Sequence, residues 1–161
     1  MRSTMLFVCG LLVGLAVNVT VAQSGGAGVE MMNHVGVTVP NVTEAVTYYT
    51  QKMGYKEAFR VTNPQGQPTL VYMQISKNTF LELNQQAGQA PAGFTHYGLV
   101  VTNAADAVKA FRARGVTVTD TNVSAGTKAI LANIMDPYMG RIELVQITPE
   151  SSHRKAIDSW K

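Results

Sequence analysis

Residues 33–46 read NHVGVTVPNVTEAV, and residues 95–108 read THYGLVVTNAADAV. The two stretches align without a gap at an offset of 62 positions, which places His34 over His96 and makes the glycine two residues later coincide. Each stretch begins with a β-branched run and continues with turn and helix-capping residues. Apolar residues at helical spacing follow. The chain therefore contains two copies of a strand–helix unit.

The ends of the two copies also match. Residues 80–85 read FLELNQ, and residues 141–146 read RIELVQ. Each copy thus opens with a histidine and closes with a glutamate. The sequence separation from His34 to Glu82 is one residue longer than that from His96 to Glu143. We predict an α+β fold of two tandem βαβββ modules, 32–86 and 94–148. Neither module is large enough to bury its sheet alone, so the modules pack together or pair with a second chain.

The repeated His–Glu pair predicts a metal site. A glutamate between two apolar strand residues points away from the face that they occupy. If the modules pair about a pseudo-twofold axis, two imidazoles and two carboxylates converge, and this donor set suits a divalent transition metal. One such pair alone would more often be structural or solvated, but the repetition favours metal ligands. The metal could be Ni, Zn, Co, Mn or Fe, and its ligands are His34, Glu82, His96 and Glu143.

Composition excludes several classes of protein. The 161 residues are 46% hydrophobic and 14% charged, with a net charge of +3, which suits one folded domain. No cluster of cations is interleaved with aromatic residues, so we expect no nucleic-acid partner. The single cysteine excludes an internal disulfide and a thiolate zinc cluster. Neither GxGxxG nor GxxxxGK[ST] is present.

The first 22 residues have the pattern of a signal peptide. Arg2 precedes an apolar run over residues 6–21, and the small residue Ala22 is followed by the polar stretch QSGG. We predict cleavage near Ala22 and export to the periplasm or the medium, with no stable membrane association afterwards. The alternative is an uncleaved membrane anchor. Residues 23–31 are expected to form a flexible N-terminal segment.

Two other features have more than one interpretation. Arg141 lies two residues before Glu143 and could share its face and contact an anionic substrate, although an exposed strand arginine is the alternative. Residues 149–161 are predicted to form a polar C-terminal tail in which His153 is solvated.

The chain resembles the vicinal oxygen chelate superfamily, which includes glyoxalase I, bleomycin-resistance proteins, methylmalonyl-CoA epimerase, fosfomycin-resistance enzymes and extradiol dioxygenases. The resemblance covers about residues 32–148, a VOC domain between the N-terminal segment and the tail. It implies a curved mixed sheet of paired βαβββ modules around a metal held by the same four residues, a small-molecule substrate or ligand, and a homodimer. The segments that carry it are His34 at the first strand, LEL at 81–83, FTHYG at 94–98 and DPYMGRIELVQ at 136–146.

The His-Glu-His-Glu set resembles that of glyoxalase I, which implies a metal-dependent isomerase or lyase with Glu143 as the base and Glu82 as its counterpart across the metal. The run 35–39 lacks the arginine that glyoxalase I commonly uses to hold glutathione, so the resemblance does not support glutathione as substrate. One alternative is an Fe(II)-dependent extradiol-type dioxygenase that uses His34, His96 and Glu143. Another is a non-enzymatic binding module of the bleomycin-resistance type.

Overall fold

The computed structural model describes residues 26–161, so the predicted signal peptide lies outside the described residues. No helix among the described residues is long and apolar enough to span a membrane. The elements, in chain order, are β1 (Val29–Val39), α1 (Val42–Gln51), β2 (Lys56–Thr62), β3 (Pro68–Ser76), β4 (Thr79–Gln85), β5 (Gly93–Val101), α2 (Ala104–Ala113), β6 (Asn122–Val123), β7 (Ile130–Asp136), β8 (Gly140–Gln146) and α3 (Ser152–Asp158).

The eight strands form one curved, mixed sheet in the order β2-β3-β4-β1-β5-β8-β7-β6. The first strands of the two modules, β1 and β5, pair antiparallel at the centre. Each of them also pairs in parallel with the last strand of its own module. Module 1 is thus β1–β4 with α1, and module 2 is β5–β8 with α2. The predicted architecture of two tandem βαβββ modules is confirmed, and both modules contribute to one sheet within one chain.

The same polar residues start the helix of each module. The side chains of Asn41 and Asn103 accept hydrogen bonds from the first-turn N–H groups of α1 and α2, as helix N-caps do. The side-chain oxygens of Gln85 and Gln146 accept from the first residue of each helix. Both glutamines end the last strand of their module, so they fix each helix to the sheet edge.

Helices α1 and α2 cover one face of the sheet, called here the helix face. In module 1 this core includes Val71, Met73 and Leu83, against which α1 packs. In module 2 it includes Leu144, against which Ala107 and the rest of the apolar stripe of α2 pack. Strand residues alternate between faces, so the glutamates between these apolar residues face the other side, called here the site face.

Part of the predicted flexible segment 23–31 is ordered. Strand β1 begins at Val29, which pairs with Val101 of β5, and the N–H of Thr102 donates to the carbonyl of Gly28 at 2.9 Å. The prediction was wrong from Val29 onward because the long partner strand extends the hydrogen-bond ladder beyond the repeated motif.

The predicted polar tail was also wrong, because its last part is a helix that packs on the site face. Ser151 caps α3 through its side chain. The helix contains few apolar residues. Ala156 and Ile157 lie three and four residues after His153, so these three side chains share one side of the helix. That side packs against Tyr72 and Phe80. Its buried members are His153, Ala156 and Ile157.

Candidate metal centre

Strand register brings the candidate ligands together on the site face. Two neighbouring rows of laterally paired residues cross the sheet through the central strands. The first row, from module 1 to module 2, is Tyr72, Glu82, Gly36, His96, Arg141 and Met135. The second row is Phe80, His34, Gly98, Glu143 and Asn133.

One ligand atom from each of His34, Glu82, His96 and Glu143 can be chosen so that all four lie within 4.8 Å of one another. The Nε2 atoms of the two histidines are 3.1 Å apart. The Nε2 atom of His34 is 3.4 Å from Oε2 of Glu82 and 3.6 Å from Oε2 of Glu143. Donors about 2.1 Å from one ion lie about 3.0–3.4 Å apart at right or tetrahedral angles, so the cluster fits a transition metal.

The residue before each histidine holds its ring. Nδ1 of His34 lies 3.1 Å from Oδ1 of Asn33, and Nδ1 of His96 lies 2.9 Å from the hydroxyl of Thr95. Because an amide oxygen only accepts, His34 carries its hydrogen on Nδ1 and directs the lone pair of Nε2 at the cluster. Sequence reasoning missed these supports, although the repeat aligns position 33 with position 95.

Glu82 is held as a carboxylate. The hydroxyl of Tyr72 donates to its Oε2, and Nδ2 of Asn84 donates to its Oε1 at 2.8 Å. Burial by itself raises the pKa of Glu82. The histidines and the Tyr72 hydroxyl outweigh burial and lower this pKa from 4.5 to about 2. This carboxylate is therefore charged and fixed in position.

Glu143 is held less firmly. Its one hydrogen bond among the described residues comes from Nη1 of Arg141, at 3.1 Å. Burial and the nearby charge of Glu82 raise the pKa of Glu143. The two glutamates of the repeat thus occupy equivalent positions but differ in support and in the direction of their pKa shifts.

Arg141 lies beside both candidate ligands of module 2 and on the same face as Glu143, and its contact with an anionic substrate remains a prediction. Its guanidinium donates to Glu143, to Oδ1 of Asn133 at 3.2 Å, and to Nδ1 of His96 at 2.6 Å. Its side chain is 36% exposed. Arg141 therefore connects the donor cluster with solvent.

His153 lies beside the cluster, contrary to the predicted solvated position. Its ring stacks 6.3 Å from that of His34 and lies edge-on to Tyr72, at 4.6 Å. Both of its nitrogens are buried and have no hydrogen-bond partner among residues 26–161. Burial lowers the pKa of His153 to about 4 and that of His34 to about 3. Both imidazoles are therefore neutral near pH 7.

Residues 33–133 match the sequence profile of the Glyoxalase/Bleomycin resistance protein/Dioxygenase superfamily. The chain belongs to this superfamily. The match includes three of the four candidate ligands and ends before Glu143. The sequence of this chain matches no protein of curated function.

Solved structures support the same assignment at the level of the fold. Methylmalonyl-CoA epimerase from Mycobacterium tuberculosis is 16% identical to this chain and has a TM-score of 0.63. The alignment covers 76% of this chain and 91% of the epimerase. The 2,3-dioxygenase LapB from Pseudomonas sp. KL28 is 18% identical and has a TM-score of 0.65, over 78% of this chain and 46% of the dioxygenase. A Streptomyces coelicolor methylmalonyl-CoA epimerase variant is 14% identical, with a TM-score of 0.62 over 76% and 98% of the two chains.

Proposed function

We propose that the protein is a metal-dependent isomerase or lyase of the glyoxalase I type, in which Glu143 moves a proton on a small oxygenated substrate. The observation that carries the proposal is the unequal support of the two carboxylates. Glu82 is fixed by Tyr72 and Asn84, whereas Glu143 is held by Arg141 alone among the described residues. A carboxylate that must take up and release a proton needs the freedom that only Glu143 has.

The four donors would hold one divalent transition metal, which acts as a Lewis acid toward neighbouring oxygens of a substrate. His34 would bind through Nε2, because Asn33 fixes the hydrogen on Nδ1. Glu82 would remain a charged ligand throughout. Glu143 would accept the substrate proton, and its raised pKa brings it closer to the range in which a carboxylate acts as a general base.

The position of Glu82 also favours an isomerase or lyase over a dioxygenase or a metal-free binding module. An extradiol-type dioxygenase would use His34, His96 and one carboxylate and would leave other positions open for a diol and O₂. Here Oε2 of Glu82 lies within 3.4–3.5 Å of both imidazole Nε2 atoms and would add a fourth protein ligand. A metal-free binding module would have no use for a buried set of four convergent donors.

The test compares Glu143→Gln with Glu82→Gln in protein loaded separately with Zn, Ni and Co. Deuterium uptake from D₂O is measured on small 2-hydroxy and 2-oxo carboxylates, such as mandelate and pyruvate, for which the wild type shows exchange. Glu143→Gln is expected to keep most of its metal and to lose exchange by about 100-fold or more. Glu82→Gln is expected to lose metal. Unchanged exchange in Glu143→Gln would contradict the proposal, and O₂ uptake with catechol in the Fe(II)-loaded protein would favour the dioxygenase.

We also propose that the protein is exported and forms a homodimer. The signal-peptide pattern in residues 1–22 supports export, and the superfamily resemblance supports the dimer. Intact-mass analysis of exported protein is expected to give the mass of the chain cleaved near Ala22, and a mass that includes Met1 would contradict cleavage. Light scattering is expected to give twice the chain mass, and a monomer would contradict the dimer.

A further inference from the structure

We infer that the substrate lies over module 2 and is a small monoanion whose carboxylate contacts Arg141. This inference rests on the proposed function and names a substrate class for the same site. The sequence repeat places equivalent residues of the two modules on the two flanks of the donor cluster, so the flanks can be compared. Phe80 pairs laterally with His34, and Arg141 pairs laterally with His96. Tyr72 and Asn133 likewise pair with the two glutamates.

The module 1 flank of the cluster is closed. Tyr72 and Phe80 are buried there, and α3 packs over them with His153 and Ile157. Phe59 stacks on Tyr72 with ring centroids 4.6 Å apart. Aromatic rings and α3 therefore cover the cluster on the side of Glu82.

The module 2 flank is open and combines charge with apolar surface. Met135, the lateral partner of Arg141, is 58% exposed. Further exposed apolar side chains follow in the turn between β7 and β8 and at the start of β5. These are Tyr138, Met139 and Phe94. A substrate that approaches Glu143 from this flank meets one cation and an apolar rim.

Metal binding would remove His96 from the three hydrogen-bond partners of the Arg141 guanidinium and leave Asn133 and Glu143. A guanidinium only donates, so Nδ1 of His96 accepts from it in the present arrangement. A neutral His96 that binds metal through Nε2 carries its hydrogen on Nδ1, where it can donate to the Thr95 hydroxyl but not to Arg141. The bond from Arg141 to Asn133 is compatible with this change and keeps the side chain at the open flank.

The net charge of the centre indicates the class of ligand that the vacated N–H group of Arg141 would bind. Two carboxylates balance the charge of a divalent ion, so Arg141 gives the centre a net positive charge. Arginine and carboxylate form paired, charge-assisted hydrogen bonds. A substrate with two neighbouring oxygens, a separate carboxylate and an apolar body therefore fits this flank.

The test uses 3,4-dihydroxybenzoate and its uncharged counterpart 3,4-dihydroxybenzamide, which share the ring and the neighbouring hydroxyls. Their Kd values are measured by calorimetry on Zn-loaded protein whose metal content has been determined. We expect the benzoate to bind at least about 10-fold more tightly. Arg141→Met should abolish this preference and Arg141→Lys should keep part of it. Arg60→Met serves as the matched control, because Arg60 pairs with Glu57 on β2, outside the site, and its preference should equal that of the wild type.

Equal affinity for the two compounds, failure of both to bind, or a preference that survives Arg141→Met would overturn the inference. Unfolding curves of the variants must match the wild type, and Arg141→Lys provides a second folded variant if Arg141→Met does not. If the Zn-loaded protein binds the benzoate and the benzamide equally well, the result contradicts the anion site at Arg141 but leaves the proposed function intact. A protein that takes up no metal contradicts the proposed function on which the inference rests.

Discussion

Gly36 lies directly against the imidazole of His96, and a Cβ atom at this position would overlap the ring. Gly98 has the same relationship to the ring of His34. Each module therefore supplies both a histidine and the space, two residues later, that the histidine of the other module occupies. This exchange across the β1–β5 pair brings the two Nε2 atoms within 3.1 Å.

Substitution of either glycine is expected to disrupt the metal centre without unfolding the chain. Gly36→Ala should displace His96, and Gly98→Ala should displace His34, because the backbone strands cannot separate without breaking the ladder. We expect the Zn affinity to fall by about 10-fold or more, since ligand geometry tolerates shifts of only about 0.5 Å. Gly26→Ala is the control, because its nearest neighbours lie 3.8 Å away. Chelator competition gives the affinity, and an unchanged value in both variants would contradict the geometry.

Asn33 is expected to matter for the metal although it does not belong to the ligand set. Asn33→Ala removes the acceptor that keeps the hydrogen of His34 on Nδ1, and the loss of such a partner typically lowers metal affinity about 10–100-fold. Asn33→Asp keeps the acceptor oxygen and should retain most of the affinity. Asn122→Ala, on the exposed strand β6, is the control. Equal losses in Asn33→Ala and Asn33→Asp would indicate that the amide donor to Asn78, and not the histidine contact, is the important one.

His153 is expected to reduce stability in mildly acidic solution. Below pH 6.5 the unfolded chain takes up a proton on this imidazole, whereas the folded chain resists protonation down to about pH 4. The stability from the neutral ring is therefore complete above pH 6.5 and is lost as the pH falls toward 4. This difference amounts to about 2 kcal/mol at pH 5.

His153→Leu should remove that pH dependence. The variant should also gain about 1 kcal/mol or more at pH 7.5, because it eliminates two buried nitrogens that lack hydrogen-bond partners in the described part of the chain. Urea unfolding of metal-free protein at pH 7.5 and 5 measures both effects. Lys155→Gln, which changes an exposed residue of the same helix, is the control. If wild type and His153→Leu lose equal stability between the two pH values, His153 does not titrate as described.

The repeat explains why so much of the site could be predicted from the sequence. Residues at one offset occupy symmetric places in the sheet, so the paired His34–Glu82 and His96–Glu143 spacings were sufficient to predict that four side chains converge. The apolar neighbours of Glu82 and Glu143 correctly indicated the face of each glutamate. Their assignment as metal ligands remains a prediction.

Features outside the repeat could not be predicted in the same way. His153 belongs to a helix with no counterpart in the other module, and its environment depends on Tyr72 and Phe80, which are distant in sequence. The run 116–119, although rich in β-branched residues, forms only the isolated bridge Val118–Ile134. There the Thr119 hydroxyl accepts from the N–H of Asn133, and the Arg112 guanidinium donates to the carbonyl of Val118, so side chains replace part of the ladder.

The metal content of the purified protein shows whether the four-residue donor cluster binds an ion. Protein purified without chelators, and the same protein after dialysis against Zn, Ni, Co, Mn or Fe(II), is analysed for bound metal per chain. We expect about one equivalent of a divalent transition metal in the wild type and its loss in the His34→Ala/His96→Ala double variant, with both proteins folded. A folded wild-type protein that contains no metal and refuses each added ion would contradict the claim that His34, Glu82, His96 and Glu143 form a metal centre.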